Sequence, residues 1–350
     1  MSSAKNVARA ALVAAMVLLA AGAAQAVVID TVPVGNIGNT GEWSGGAAGG
    51  YGPDRICGAV AYTYNIGTYE VTAGQYTAFL NKVGGVDTYS LYNTDMSRTD
   101  YGSGIARSGG GTVGNPYTYT VDANFVNRPV NYVSWGDSAR FANWLHNGQP
   151  TTGGQGLSTT EDGAYYLNGA TSNAQLLAVS READWQWAVT SEDEWYKAAY
   201  HDKTAGLAAT YFDYSTSSNT APGRDMADPL PGNNANYYMG YGAFPIDSGK
   251  YTTVAGEFQN SVSPYGTFDQ GGNVWEWNEA IIIGSYRGLR GGSFYYGGYV
   301  LHAADRAGSD PTYEGSSIGF RVSEVPEPAT MGLLALGGLG MLMRRRTVRR

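Results

Sequence analysis

The sequence contains very little cysteine and histidine. Cys57 is the single cysteine, and three histidines are spread over 350 residues. One thiol cannot form an intramolecular disulfide, so a domain of this size depends for its stability on its core and on any bound metal. The histidines at 146, 201 and 302 lack the i, i+4 spacing of a helical zinc site. The sequence also lacks a Gly-x-Ser-x-Gly nucleophile elbow and a phosphate-binding loop.

Positive charge is scarce outside the two ends of the chain. The sequence has 22 Lys and Arg against 30 Asp and Glu. Because seven of the basic residues lie in the first 26 or the last seven positions, residues 27–343 carry a net charge of about −15. Such a domain repels nucleic acid and anionic membranes and attracts cations. We therefore do not expect a nucleic-acid partner.

Both ends of the chain carry short apolar runs. Residues 1–26 combine two basic residues, an apolar run and a final Ala-Gln-Ala, which predicts a secretory signal peptide. At the other end, Pro-Glu-Pro at 326–328 precedes an apolar run, 329–343, and a terminal arginine cluster. That run is short for a membrane span, which usually needs about 17–25 residues, but flanking arginines can snorkel. A span would keep the arginines cytoplasmic and the domain outside; a buried core helix is the alternative.

Between these ends, glycine and tyrosine are abundant, with 50 and 27 residues. We therefore expect loops and turns to dominate, around a core supplied by aromatic side chains. Residues 84–128 read as a long surface excursion with little regular structure. Capping signals predict three helices, which begin after Thr72, after Ser134 and after Thr190 or Ser191.

Two details of these helices bear on function. His146, near the end of the second helix, is expected to bond terminal carbonyls and not a metal. The third helix has Glu192, Asp193 and Glu194 in its first turn. A solvated helix N-terminus, where the helix dipole favours acidic residues, is the simplest interpretation of that cluster.

Three short motifs stand out near the C-terminal end: 265–277, Arg290-Gly-Gly-Ser293 and Gly319-Phe-Arg321. In the first, Trp275 and Trp277 alternate with Glu276, so on a strand both indoles face one side and the carboxylate the other. A carboxylate held there needs a counter-charge. The preceding glycines permit a sharp turn and, with Asp269 and Glu276, form an oxygen-rich set suited to a hard cation such as calcium.

The order of these motifs resembles the C-terminal half of the formylglycine-generating enzyme family, also called sulfatase-modifying factors. Upstream matches, in the same order as in the family, are Tyr69-Glu-Val-Thr72, Val133-Ser-Trp135 and Thr190 to Trp195. The resemblance implies one α+β domain over residues 27–323, a loop-rich variant of the C-type lectin fold with structural calcium. It implies two calcium sites, with Asn236, Tyr237 and Asp247 at one, and Asp269, Gly272, Val274 and Glu276 at the other. Loop asparagines usually form Asx turns, which is the alternative for Asn236.

The sequence departs from the family at the catalytic cysteine positions. Members that oxidise a sulfatase cysteine to formylglycine carry two copper-binding cysteines shortly after Gly-Gly-Ser. Tyr296 and Leu301 stand at those positions here. Because paired thiolates select Cu(I), copper is not expected. Cys57 is interpreted as an incidental, partly buried thiol, with a disulfide to another chain as the alternative.

We therefore expect a non-catalytic module that holds a peptide or a glycan. The groove that the resemblance implies is lined by Ser293, Tyr295, Tyr296 and Arg306, although Ser293 has the alternative of a turn serine. Two other functions stay open. One is an oxidoreductase of the same family acting through different residues, and the other is an adhesive structural protein without a binding pocket.

The C-terminal segment, residues 324–350, resembles the PEP-CTERM sorting signal of Gram-negative bacteria. That resemblance implies an exosortase-type sorting machinery as partner and transient anchoring in the inner membrane through the C-terminal helix. It also implies export to the cell envelope, the cell surface or the extracellular matrix. Proteins with this signal are associated as a class with exopolysaccharide, which favours a matrix role.

Overall fold

The computed structural model describes residues 26–240, 245–247 and 249–326. Almost all of the predicted signal peptide, and the whole of the predicted membrane span, lie outside these residues. Within the described ranges, no helix is both long enough and apolar enough to cross a bilayer.

Short regular elements joined by long loops make up the described chain. Its α-helices are α1 Ala73–Val83, α2 Trp135–His146, α3 Asn173–Ala178 and α4 Glu192–Tyr200. Its first six strands are β1 Thr31–Val34, β2 Glu42–Ser44, β3 Arg55–Cys57, β4 Tyr64–Gly67, β5 Ile105–Ser108 and β6 Thr118–Val121. The other strands are β7 Trp187–Val189, β8 Trp275–Ile282, β9 Tyr286–Arg290, β10 Ala307–Ser309, β11 Ile318–Phe320 and β12 Val322–Glu324. This architecture confirms the predicted loop-rich α+β fold.

Two four-stranded sheets organise the domain. The first has the order β1-β4-β12-β7 and is antiparallel throughout. The second has the order β10-β9-β8-β11, and β11 runs parallel to β8. Arg321 alone separates β11 from β12. The chain therefore passes from one sheet to the other at Arg321.

The main core is aromatic and lies where α1 and α2 pack on the sheets. Phe141 of α2 contacts the rings of Phe79 at 5.3 Å and Phe320 at 5.4 Å, both edge to face. Trp277 is fully buried in the same core and donates its indole N–H to the Val133 carbonyl at 2.9 Å. Such ring pairs contribute about 0.5–1.5 kcal/mol beyond the burial of their area.

The predicted helix starts are confirmed. The side chains of Thr72, Ser134 and Ser191 each accept a hydrogen bond from the backbone N–H three residues later. In each case the side chain at that third position, Gln75, Asp137 or Glu194, accepts from the cap backbone in return. These capping boxes satisfy N–H groups that the helix itself leaves unbonded.

The expectation of a surface excursion with little regular structure over residues 84–128 is confirmed only in part, because most of the segment is exposed or half-buried but some of its side chains belong to the core. This segment contains the β5–β6 hairpin, and it buries Leu91, Met96 and Ile105. Tyr119 is also buried, and its hydroxyl donates to the Gly84 carbonyl at 2.8 Å. Because a tyrosine can be buried when its hydroxyl has a backbone acceptor, a Tyr-rich, Leu-poor segment can still form core.

The interpretation of His146 was wrong. Its Nδ1 accepts the backbone N–H of Gln186 at 3.0 Å, whereas the carbonyls at the end of α2 accept the backbone N–H groups of residues 147–149. The histidine links α2 to the residue before β7.

We predict that the described domain needs β12 to fold. A chain that stops after Val325 keeps β12 and Arg321, whereas a chain that stops after Phe320 loses both. The shorter chain loses an interior strand of the first sheet and leaves a buried carboxylate, Glu276, without its guanidinium, a defect that costs about 3–5 kcal/mol by itself. Thermal melts followed by circular dichroism should be cooperative for the longer chain only. A cooperative melt of the shorter chain at the same temperature would contradict this prediction.

Candidate functional site

Strand β8 places Glu276 on the side opposite to its two neighbouring indoles, as predicted. Trp275 and Trp277 lie in the main core. The Glu276 carboxylate accepts hydrogen bonds from Nε and Nη2 of Arg321, at 2.6 and 2.7 Å, and from the indole N–H of Trp195, at 2.7 Å. Glu276 and Arg321 are both fully buried. The counter-charge that the sequence requires is therefore Arg321.

Two further carboxyls share this single guanidinium. Glu70 is buried; its Oε1 accepts from Asn273 Nδ2 at 3.2 Å, and its Oε2 has no hydrogen-bond partner among the described residues. Burial and the neighbouring Asp269 and Glu276 raise the pKa of Glu70 well above its usual range. Burial raises the pKa of Asp269 to about 6. We call Glu70, Asp269, Glu276 and Arg321 the acid cluster, in which acidic groups outnumber the one cation.

The residues predicted for the other calcium site are only partly brought together. Asn236 Nδ2 donates to the Tyr251 carbonyl at 2.8 Å and contacts Asn273 Oδ1 at 3.3 Å. Its Oδ1 is buried without a partner in the described part of the chain. Asp247 pairs with Arg128. The Tyr237 hydroxyl donates to the Pro222 carbonyl at 2.7 Å.

These surroundings allow a test of whether calcium fits. Each predicted site has an orphaned oxygen nearby, Glu70 Oε2 or Asn236 Oδ1, and Asn273 hydrogen-bonds to both of those side chains. Oxygen donors and an excess of acid suit a hard divalent cation. Within the described ranges, no three His, Cys, Asp or Glu side chains are arranged to hold a metal, so the predicted sites would need backbone carbonyl ligands. The oxygen donors therefore suit calcium in type, but the Glu276 carboxylate is also paired with Arg321, and Asp247 is also paired with Arg128.

A cleft of about 750 Å³ opens beside the second sheet. Its floor includes the largely buried side chains of Trp275, Leu289 and Ile318. Its aromatic walls are formed by Tyr51, Tyr214, Tyr296, Tyr299 and Tyr313. We call it the tyrosine cleft. Tyr296 and Arg306 of the predicted groove line it, whereas Ser293 and Tyr295 are not among its lining residues.

Ser293 lies beneath the turn that carries the aromatic wall. It is fully buried, its Oγ accepts the Tyr295 N–H at 3.3 Å, and its carbonyl accepts the Tyr296 N–H at 3.1 Å. These contacts are those of a turn serine. Tyr295 is exposed and packs edge to face against Tyr296, with ring centroids 5.9 Å apart.

Arg306 contributes to the cleft wall, but its charge is already paired. Its Nε and Nη2 each donate to Glu192 at 2.7 Å, and its Nη1 donates to the Pro53 carbonyl. Arg290 also donates to Glu192, at 2.8 and 3.0 Å, and Arg55 donates at 2.9 Å. Although burial opposes it, these arginines lower the pKa of Glu192 to about 2.

The expectation of a solvated acidic helix start at α4 was therefore wrong. Glu192 and Glu194 are buried, and Glu194 pairs with Arg181 at 2.7 Å. The one sequence signal for the burial of these acids was their position next to inward-facing Trp195. The partners lie in distant loops and could not be assigned from spacing.

Cys57 lies outside the lining of the cleft. It is fully buried, and Arg290 Nη2 is 3.3 Å from its sulfur. Burial raises the pKa of the thiol, so the reactive thiolate form is disfavoured.

Comparison with known families identifies the scaffold. The family model of the sulfatase-modifying factor enzyme 1-like domain matches residues 6–325. The chain belongs to this family. The model of the PEP-CTERM protein-sorting motif matches residues 324–346, which indicates recognition by exosortase sorting machinery, export and association with the cell envelope. The signal peptide at residues 1–26 stays a prediction. No curated protein matches the chain.

A solved structure shares this fold, and two others were compared with it. Treponema denticola variable protein 1 is 18% identical with a TM-score of 0.53, over 86% of this chain and 96% of that protein, and so shares the fold. CarF is 18% identical with a TM-score of 0.49, over 86% of this chain and 99% of that one. PvdO from Pseudomonas aeruginosa is 18% identical with a TM-score of 0.43, over 79% of this chain and 85% of that one.

We predict that Glu276→Gln destabilises the domain more than Asp269→Asn. The first change leaves the buried Arg321 without its charge partner, which costs about 3–5 kcal/mol. The second removes one of several crowded acids, and its amide oxygen can still accept the Gly256 N–H that now bonds Asp269 at 2.6 Å. We expect the second cost to be below about 1 kcal/mol, as for a change that leaves no buried group unpaired.

Denaturant unfolding of the variants measures these free energies. Asp100→Asn is the control, because Asp100 forms an exposed pair with Arg98 and such pairs contribute at most about 1 kcal/mol. Equal losses for Glu276→Gln and Asp269→Asn, or the reverse order, would contradict the role given to the ion pair.

Proposed function

We propose that this protein is an exported, non-catalytic binding module whose ligand site is the tyrosine cleft. The observation that carries the proposal is the fate of the positions where the family resemblance places two cysteines. Tyr296 is partly exposed on the cleft wall, and its ring meets Trp275 edge to face at 5.7 Å. Leu301 is buried against Ala235 and Tyr237. At these two positions the chain therefore has a phenol on the cleft wall and a buried aliphatic side chain outside the cleft lining.

Neither replacement supplies the chemistry of a thiolate pair. Burial, with the neighbouring Tyr313, raises the pKa of Tyr296, so at neutral pH it is a neutral phenol. A phenol is a hard oxygen ligand, whereas Cu(I) selects soft sulfur. Cys57 is a single thiol outside the cleft lining. Copper is therefore not part of the proposal.

The cleft has the properties of a binding site for a peptide or a glycan. It is concave, its floor is apolar, and its walls carry aromatic rings with polar tips. The sorting motif at 324–346 would deliver the module to the envelope, with transient anchoring in the inner membrane before processing. We propose a role at the cell surface or in the extracellular matrix, where ligands of both kinds occur.

Calcium is the structural cation that we propose for the acid cluster and its surroundings. Asp269 and Glu276, with the backbone carbonyls of Gly272 and Val274, would hold it. The excess of buried acid supports this assignment, because a divalent cation would offset charge that Arg321 alone does not balance. Asn236, Tyr237 and Asp247 are proposed for the second ion.

We predict that calcium raises the melting temperature at pH 7.5. A ligand that binds only the native state stabilises it by about 2.7 kcal/mol at a hundredfold excess over its Kd. In chelator, the pKa of Asp269 in the folded state is about 6, above its value in the unfolded chain. Stability is therefore lost as the pH rises through about 6. The difference between melts with calcium and with chelator should therefore shrink from pH 7.5 to pH 5, where protons compete for the carboxyls.

Glu70→Gln is the control for the acid cluster. It removes one acidic group whose folded-state pKa is raised, so the loss of stability with rising pH in chelator should be smaller than in the parent protein. Identical melts with and without chelator, together with no calcium by elemental analysis, would rule out the proposed cation.

We predict that the protein does not form formylglycine. Incubation of the purified protein with copper, oxygen and a cysteine-containing sulfatase peptide should leave the mass of the peptide cysteine unchanged. The physical reason is that no two thiolates are present to hold Cu(I) in two-coordinate form.

A copper-only reaction is the blank, and Ser293→Ala is the matched variant. Conversion clearly above the blank that disappears in Ser293→Ala would contradict the proposal. It would instead support an oxidoreductase of the same family that acts through other residues.

A further inference from the structure

The walls of the tyrosine cleft present an unusual amount of accessible aromatic surface. Tyr51 and Tyr299 are 73% and 71% exposed, and Tyr313 and Tyr296 are 53% and 42% exposed. Large aromatic side chains are normally buried, and here four accessible ones border a single cleft. Flat rings with hydroxyl tips suit a ligand that has apolar C–H faces and many hydroxyl groups, which describes a pyranose sugar.

The charges of the cleft select against an acidic ligand. Arg306 is the one arginine or lysine among the described residues of its lining, and all three nitrogens of its guanidinium already donate to Glu192 or Pro53. Asp305 also lines the cleft, and so does His302, whose ring lies 3.7 Å from Asp213. A uronate, a phosphate or a free peptide carboxylate would therefore find no unpaired guanidinium or ammonium group in the lining.

The remaining polar groups suit neutral hydroxyls. Asp305 supplies an acceptor, and Ser309 and Ser317 supply hydroxyls that can donate or accept. The volume, about 750 Å³, is within the range of roughly 300–1,000 Å³ for pockets that enclose a small-molecule ligand. It can therefore take a short oligosaccharide segment.

The same cleft is less suited to binding a peptide. Peptides that add to a sheet edge need a row of free backbone groups. β10 is an edge strand and lines the cleft, but it has three residues, and the N–H of Arg306 just before it is bonded to the Tyr51 carbonyl at 2.9 Å. The available edge is therefore very short.

We propose that the tyrosine cleft binds a neutral oligosaccharide, a ligand class that rests on the binding function proposed above. The test uses the purified full-length chain in detergent on an array of glucose, mannose, galactose and N-acetylglucosamine oligosaccharides, followed by calorimetry of the bound ones. At least one neutral oligosaccharide should bind, and an oligogalacturonate should bind at least tenfold more weakly. Tyr299→Ser and Tyr51→Ser should each weaken binding at least tenfold, because they remove stacking surface.

Tyr166→Ser is the matched control, because Tyr166 is 53% exposed and lies outside the cleft lining. It should leave the affinity unchanged, and equal melting temperatures should show that all three variants fold. Neutral binding unaffected by the cleft variants, or a preference for the acidic oligosaccharide, would overturn the inference. Binding of a cysteine-containing peptide with no binding of neutral glycans would overturn it and leave the proposed binding function standing. Binding of neither would contradict both.

Discussion

The fold depends on the buried ion pair between Glu276 and Arg321. Arg321 occupies the single position at which the chain leaves the second sheet and enters the first. Removing two charges from water costs several kcal/mol per ion, and this cost is offset only when the geometry is good and the other donors are satisfied. Here Nη1 reaches the Gly67 carbonyl at 2.8 Å and Nη2 reaches the Phe268 carbonyl at 2.8 Å, besides the two bonds to the carboxylate. One side chain thus fixes the relative position of both sheets.

A second network of buried ion pairs affects the charge of the candidate site. Glu192 collects Arg55, Arg290 and Arg306 at the N-terminus of α4. The same contacts that hold α4 against the second sheet neutralise Arg306, the arginine of the cleft wall. The preference of the cleft for uncharged ligands, as we propose it, is therefore a consequence of how the fold satisfies its own buried charges.

The features that the sequence predicts correctly are local. Helix starts at Thr72, Ser134 and Ser191 depend on hydrogen bonds that reach three residues, and the two faces of β8 depend on simple alternation. The arginine partners of Glu192 lie 98, 114 and 137 residues away, so no spacing rule could pair them with that carboxylate. For the same reason the sequence identified Tyr296 as a groove residue but could not show that Ser293 is buried under its turn. The contribution of residues such as Tyr92 and Tyr119 to the core was missed because these tyrosines find their backbone acceptors only in the folded chain.

The separation between the buried charges and the cleft wall also explains how side chains on the wall can vary without loss of the fold. The residues that carry the ion pairs, such as Arg290 and Glu276, are fully buried, whereas Tyr296 and Tyr299 reach into the open cleft. A substitution on the exposed wall changes neither a buried charge nor its partner, so its effect on stability should be small. The chemistry of the wall can therefore change while the scaffold beneath it stays the same. On this view a binding function is a property of the wall tyrosines, and it can be altered one tyrosine at a time in a protein that still folds.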